Sequence, residues 1–241
     1  MNMKQTIILS TDILAQVIHA NYRVLAVLDR LGIKLGLGNQ TIEAVADQYH
    51  VDLDTFLLIL NLFCDKNHRA NSDGQFKYIP DLLVFLKNSH LYFLEEIIPQ
   101  IQQNIKELID QMHDSKAEMV NLFYNNYIQE VTEHINYENE VVFPYVKQLY
   151  NSYLANKAQT STDFTINVYG DHHENIEDIL RDLKNILIRH LPQKEKGSLR
   201  RLVLQQLFEL ELDLNSHTKL EDDVLIPLVK QLEQQQLLCQ N

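Results

Sequence analysis

The sequence is poor in several things, and each shortage narrows what it can be. Only two cysteines, Cys64 and Cys239, stand among 241 residues. They form no Cys-x-x-Cys pair, so neither a zinc ribbon nor a disulfide framework is indicated. Glycine (6) and proline (5) are scarce, and with few breakers and many Leu, Ile, Glu, Gln and Asn the chain favours long helices. No run of about 20 apolar residues occurs, as a membrane-spanning helix would need. The N-terminus, MNMKQTIILSTDILAQVIHA, lacks the apolar core and small-residue cleavage site of a signal peptide. A cytoplasmic protein is expected, with no membrane partner. Positive charge is short too. The formal net charge is −12, which repels nucleic acid and anionic surfaces. No Ser-His-Asp arrangement, phosphate-binding loop or dinucleotide fingerprint is present, so no catalytic residue can be named and enzymatic activity is left open.

What is present is helical pattern. Hydrophobic residues make up 45% of the chain, enough for a sizeable core. Residues 10–31 are expected to form one helix capped by Ser10, Thr11 or Asp12, followed by a Gly-rich turn over 32–39. Short helices are expected near 41–48 and 53–64. The polar stretch 66–80 reads as a loop and a domain boundary. Beyond it, long helices are expected near 81–112 (kinked at Pro99), 115–151, 170–190 and 197–237, with a polar connection over 156–168. Four long helices suggest a four-helix bundle. The expected layout is a small helical N-terminal domain over 1–66, a linker over 67–80 and an all-α bundle over 81–241.

The strongest signal is an internal repeat. His134-Ile-Asn-Tyr-Glu138-Asn-Glu-Val-Val-Phe-Pro144 is matched by His217-Thr-Lys-Leu-Glu221-Asp-Asp-Val-Leu-Ile-Pro227. Residues i and i+4 of a helix share a face, so each copy points an imidazole and a carboxylate the same way. The following polar pairs, Asn139-Glu140 and Asp222-Asp223, should face elsewhere, to water. Each proline should kink or end its helix. The repeat extends upstream, because His90 lies 44 residues before His134 and His173 lies 44 before His217. That offset favours His173 over its neighbour His172. One His-x3-Glu alone is a common surface pair. Two copies with matched flanks and an upstream His at equal offset are much harder to obtain by accident. Four imidazoles and two carboxylates suit two first-row metal ions, iron or manganese over thiolate-seeking metals. The expected ligands are His90, His134, Glu138, His173, His217 and Glu221. Tyr92, Tyr124, Tyr127 and Tyr137 lie near them in sequence and read as core or surface aromatics.

At these residues the sequence resembles a hemerythrin-like domain over 85–230. It resembles in particular the di-iron proteins that repair iron–sulfur clusters after nitrosative or oxidative damage. His90-Leu-Tyr-Phe-Leu-Glu-Glu, His134 to Pro144, His173-Glu-Asn and His217 to Pro227 match that family's motifs in order. The resemblance implies a hemerythrin-like four-helix bundle holding two iron ions, oxo- or hydroxo-bridged, on the six residues named. It departs from the oxygen-carrying hemerythrins, which place His where this chain has Glu177 and end on His-x4-Asp. Glu177 is left as a seventh ligand, an acceptor for an imidazole N–H or a solvent-facing residue. The N-terminal segment resembles the repair family's small N-terminal domain, with one departure. Where that family carries Cys-Cys-Gly-Gly, this chain has Leu35-Gly36-Leu37-Gly38.

Two functions follow from the resemblance. One is iron–sulfur cluster repair in the stress response, with iron–sulfur proteins as partners. The alternative is a sensor or binding protein for oxygen, nitric oxide or iron without turnover. Residues 41–63 faintly resemble a helix-turn-helix but contain no Lys or Arg, which argues against a nucleic-acid partner. A homodimer is left open. The metal-binding part is expected to fold and hold its metal without residues 1–80.

Overall fold

The computed structural model describes residues 7–65, 67–69, 74–111, 115–157, 164–169, 176–191 and 197–238. Among these the regular structure is helical, and the protein is all-α. Contacts divide the chain into two compact units. One comprises Met1–Ser89, Tyr145–Ile166 and Ser216–Asn241, and the other His90–Pro144 and Asn167–Asn215.

The first unit opens with α1 (Leu14–Ala20), α2 (Val24–Arg30), α3 (Ile42–Tyr49) and α4 (Leu53–Cys64). The single helix expected over 10–31 is therefore two. The chain breaks at Asn21, whose backbone is extended (φ −149°). Its Oδ1 accepts from the Arg23 N–H at 3.1 Å, a local bond that competes with helix continuation. The α1 start also differs, since Ile13 caps it without a side-chain bond. α2 stops at Gly32 (φ +69°). There the Ile33 N–H bonds Leu28 and the Gly32 N–H bonds Asp29, the paired arrangement that a left-handed glycine permits. Thr41 and Asp52 cap α3 and α4 through the N–H groups of Ala44 and Thr55. The apolar α4 buries Phe56, Ile59, Leu60, Leu62 and Phe63.

This unit is tied to the later helices. The expected linker contains a 3₁₀ turn, Phe76–Tyr78, with Phe76 and Tyr78 buried. Asp81 accepts from the Asp52 N–H at 2.9 Å, and Asn88 donates to the Arg30 carbonyl at 2.6 Å. Arg30 is buried with its guanidinium 5.8 Å from the rings of Phe63 and Phe85, a cation–π placement.

The remaining helices are α5 (Ile79–Tyr92), α6 (Ile98–Asp110), α7 (Ser115–Tyr137), α8 (Phe143–Leu154), the one-turn α9 (Ile166–Tyr169), α10 (Ile176–Arg189), α11 (Gly197–Leu220) and α12 (Ile226–Leu238). Three of the junctions are π-helical: Phe93–Ile97, Glu138–Val142 and Glu221–Leu225. Each opens six residues before a proline, Pro99, Pro144 or Pro227. The cause is steric and electronic. Proline has no N–H to give its helix, and its ring clashes with the carbonyl four residues back. Widening the turn moves that carbonyl aside. Phe143 then bonds the Glu138 carbonyl five residues back, and Ile226 bonds that of Glu221. The prolines thus do not end their helices, as one alternative had it; each helix runs on through a bulge.

The second unit has its own core. Ile101, Ile105 and Leu108 of α6 pack with Val120, Tyr124, Tyr127 and Val131 of α7, with Leu183 and Leu187 of α10, and with Val203, Leu207 and Leu210 of α11. The three-to-four-residue spacing is the apolar stripe of a bundle helix. The Tyr124 hydroxyl donates to the Ile98 carbonyl at 3.0 Å. α9 lies where the sequence suggested only a polar connection. Its Ile166 and Tyr169 are both fully buried.

Candidate metal centre

In the second unit, His90 and Glu138 are buried, and His134 is 18% exposed at its side chain. α5 carries His90 in its last turn. α7 carries His134 in its last turn and hands Glu138 to the π turn. Both imidazoles converge on one carboxylate. His90 Nε2 lies 3.1 Å from Glu138 Oε2, and His134 Nε2 lies 3.0 Å from Oε1. On the far side of the His90 ring, Nδ1 is 2.9 Å from Asn139 Oδ1. An amide oxygen only accepts, so Nδ1 carries the proton and Nε2 of a neutral ring turns its lone pair to the carboxylate. Phe143 stacks on the other side of His90 at 5.2 Å between ring centroids.

Asn139 was expected to face water. The π turn changes that, because its smaller rotation per residue keeps the residue after Glu138 nearer the inward face. Glu140, Asp222 and Asp223 are exposed as expected, with Asp223 bonded to Lys219.

In the first unit the matching pair has the same form. His217 is buried and Glu221 is fully buried, with His217 Nε2 3.2 Å from Glu221 Oε1. His217 ends α11 and Glu221 opens the π turn, as His134 and Glu138 do. Both buried His–Glu pairs, His90–Glu138 and His217–Glu221, offer ligand atoms of the kind that hold a metal ion. His173 and its neighbour His172 lie outside the described residues, as does the side chain of Glu177.

The residues fit a metal. A buried carboxylate facing two imidazole Nε2 atoms at hydrogen-bond distance requires positive charge between them, carried by protons or by a cation. Burial alone would push the Glu138 carboxyl up. Where protons carry that charge, hydrogen bonds from His134 and His90 at Nε2 outweigh burial and hold the carboxyl well below the usual range. Imidazole nitrogen with carboxylate oxygen, a tautomer fixed from the outer side and exclusion of water together make a donor set for a first-row metal.

One residue was missed entirely. The Tyr169 hydroxyl donates to Glu138 Oε1, and its ring stacks on His134 at 6.3 Å. The four tyrosines noted near the ligands did not include it. Of those, Tyr124 and Tyr127 are core residues. A signal existed, since Tyr169 lies one helical turn before His173 in sequence.

Fold and site together define a helical protein built to hold metal ions on buried His and Glu. The chain belongs to the hemerythrin HHE cation-binding domain family, whose model matches residues 81–229. It is also similar to the iron-sulfur cluster repair protein ScdA of Staphylococcus haemolyticus. The two are 22% identical over 191 residues, 78% of this chain and 83% of that protein. Among the described residues no helix is long and apolar enough to cross a membrane.

Proposed function

We propose that the protein is a non-haem di-iron protein that takes part in the repair of damaged iron–sulfur clusters. In this reading His90, His134, Glu138, His173, His217 and Glu221 hold two bridged iron ions. The observation that carries it is the buried convergence of His90 and His134 on Glu138. The sequence repeat supplies an equivalent pair in His217 and Glu221, and the family match spans both copies. Iron would supply redox chemistry and a position for a small ligand such as oxygen or nitric oxide. The chain's own part is to fix the imidazole tautomer through Asn139, exclude water and set the carboxylates. Similarity to a protein named for iron–sulfur cluster repair supports the role. The metal-holding part begins near residue 81, residues 67–80 lead into it, and residues 1–66 form an accessory part, all in the cytoplasm. The test is to add the iron-loaded protein to an iron–sulfur enzyme inactivated by nitric oxide or peroxide. Recovery above that given by free iron supports repair.

A second reading is favoured by one observation. The Leu35-Gly36-Leu37-Gly38 turn carries no thiol, and Leu35 is exposed there. Soft ligands for passing iron on are missing from it. A sensor of oxygen, nitric oxide or iron would not need them. Rapid binding of nitric oxide with no recovery of the damaged enzyme would favour this alternative.

A further inference from the structure

We propose that Tyr169 is a positioning residue of the metal centre, its hydroxyl holding the Glu138 carboxylate in the orientation that binds metal. The proposal rests on the di-iron reading above. Three observations carry it. Tyr169 is fully buried. Its hydroxyl donates to Glu138 Oε1, the oxygen that also faces His134 Nε2. Its ring lies nearly parallel to the His134 ring, at 22°. One side chain thus touches two of the proposed ligands at once, by a hydrogen bond to one and a face contact to the other.

The consequence is directional. A carboxylate on a flexible two-carbon stem rotates freely unless an outer group restrains it. A donor on one oxygen fixes the plane, leaving the second oxygen and the remaining lone pairs for metal. Outer partners of this kind tune affinity through the ligand they orient. Tyr169 ends the one-turn helix Ile166–Tyr169. The internal repeat offers no counterpart. His90 is preceded by Leu86 at the offset that places Tyr169 before His173. The donor to Glu138 is therefore not an element of the repeat.

The test compares full-length Tyr169→Phe with Tyr127→Phe and wild type. Tyr127 is an equally buried tyrosine whose hydroxyl has no hydrogen-bond partner among the described residues. Both variants lose one buried oxygen, and Tyr169→Phe keeps the ring on His134. Iron(II) affinity is measured anaerobically by chelator competition, and the optical spectrum is recorded after oxidation. Tyr169→Phe should weaken iron binding by about 10- to 100-fold and shift the charge-transfer bands, while Tyr127→Phe leaves both unchanged. Wild-type affinity and bands in Tyr169→Phe would overturn the proposal, leaving the metal reading intact. A visible phenolate–iron band in wild type, lost in Tyr169→Phe, would make Tyr169 a ligand and overturn its role as hydrogen-bond donor. No iron uptake by wild type would overturn the metal reading, and this role with it. Should Tyr169→Phe not fold, tyrosine difference absorption of wild type on iron loading decides. A perturbed buried tyrosine without a visible phenolate band supports the proposal, and an unperturbed spectrum contradicts it.

Discussion

The Arg23 guanidinium donates to the hydroxyl of Ser216, the residue immediately before His217. A residue from the start of the chain thereby reaches the backbone that carries a proposed ligand. The sequence suggested a metal-binding part independent of residues 1–80; the grouping of Met1–Ser89 with Ser216–Asn241 in one compact unit makes that expectation testable. Leu82, Phe85 and Leu86 are buried in the unit that contains α1 to α4, and a chain starting at Pro80 would expose much of that surface. Such a truncation should unfold at much lower urea than the full chain. Arg23→Ala should cost about 1.5–3 kcal/mol by loss of a hydrogen bond from a charged group. Urea titrations of the two variants against wild type check both expectations, and wild-type midpoints would restore the independent domain.

The π turns make a second prediction. Pro144→Ala returns a backbone N–H and removes the ring clash, so the bulge opening at Glu138 loses its cause. The helix should persist by circular dichroism. Iron affinity should fall on the order of tenfold as Glu138 and Asn139 rotate from their present faces. An unchanged affinity would mean that something other than proline holds the bulge.

Much of the site was legible because its geometry is local. His134 with Glu138 and His217 with Glu221 needed only helical spacing, and the 44-residue offset added His90 without any fold. What escaped lies off the repeat. Tyr169 sits in a Thr- and Asn-rich stretch that carries no helical period, and its repeat counterpart is Leu86, so a symmetry argument could not find it. Asn139 was placed outward by a 100° rotation per residue that the π turn does not obey. The break at Asn21 was hidden because apolar spacing continues across it, while the Asn21 side chain takes the Arg23 N–H. At Asn21 and Asn139 a side chain or ring competed with regular backbone pairing, and periodicity alone does not register that.

Cys64 does not replace the missing pair. Burial pushes the Cys64 thiol up to about 11, with Arg23 pulling it partly back. Thiolate is the reactive form, so at neutral pH little of it exists. Alkylation of Cys64 should be slow at pH 7.5 and rise about tenfold per pH unit until it levels near 11. A plateau near pH 9 would show an ordinary, accessible thiol.

Restoring thiols to the N-terminal turn is constrained by backbone. Leu35 is exposed, but Gly36 has φ +103°, where a side chain costs about 1–3 kcal/mol. Leu35→Cys should be tolerated and give a reactive thiol. Adding Gly36→Cys should lower the unfolding midpoint. If repair requires the pair, the double variant should still exceed wild type in restoring a damaged iron–sulfur enzyme, and equal rates would show that the thiols are not needed.

The most direct measurement is the iron content of the full-length protein. After anaerobic loading and removal of unbound metal, elemental analysis should find about two iron ions per chain, since two His–Glu pairs with upstream imidazoles supply two sets of ligands. Glu138→Ala and Glu221→Ala should each fall well below that value while remaining helical. One iron or fewer in wild type under saturating conditions, or full occupancy in both variants, would contradict the di-iron centre.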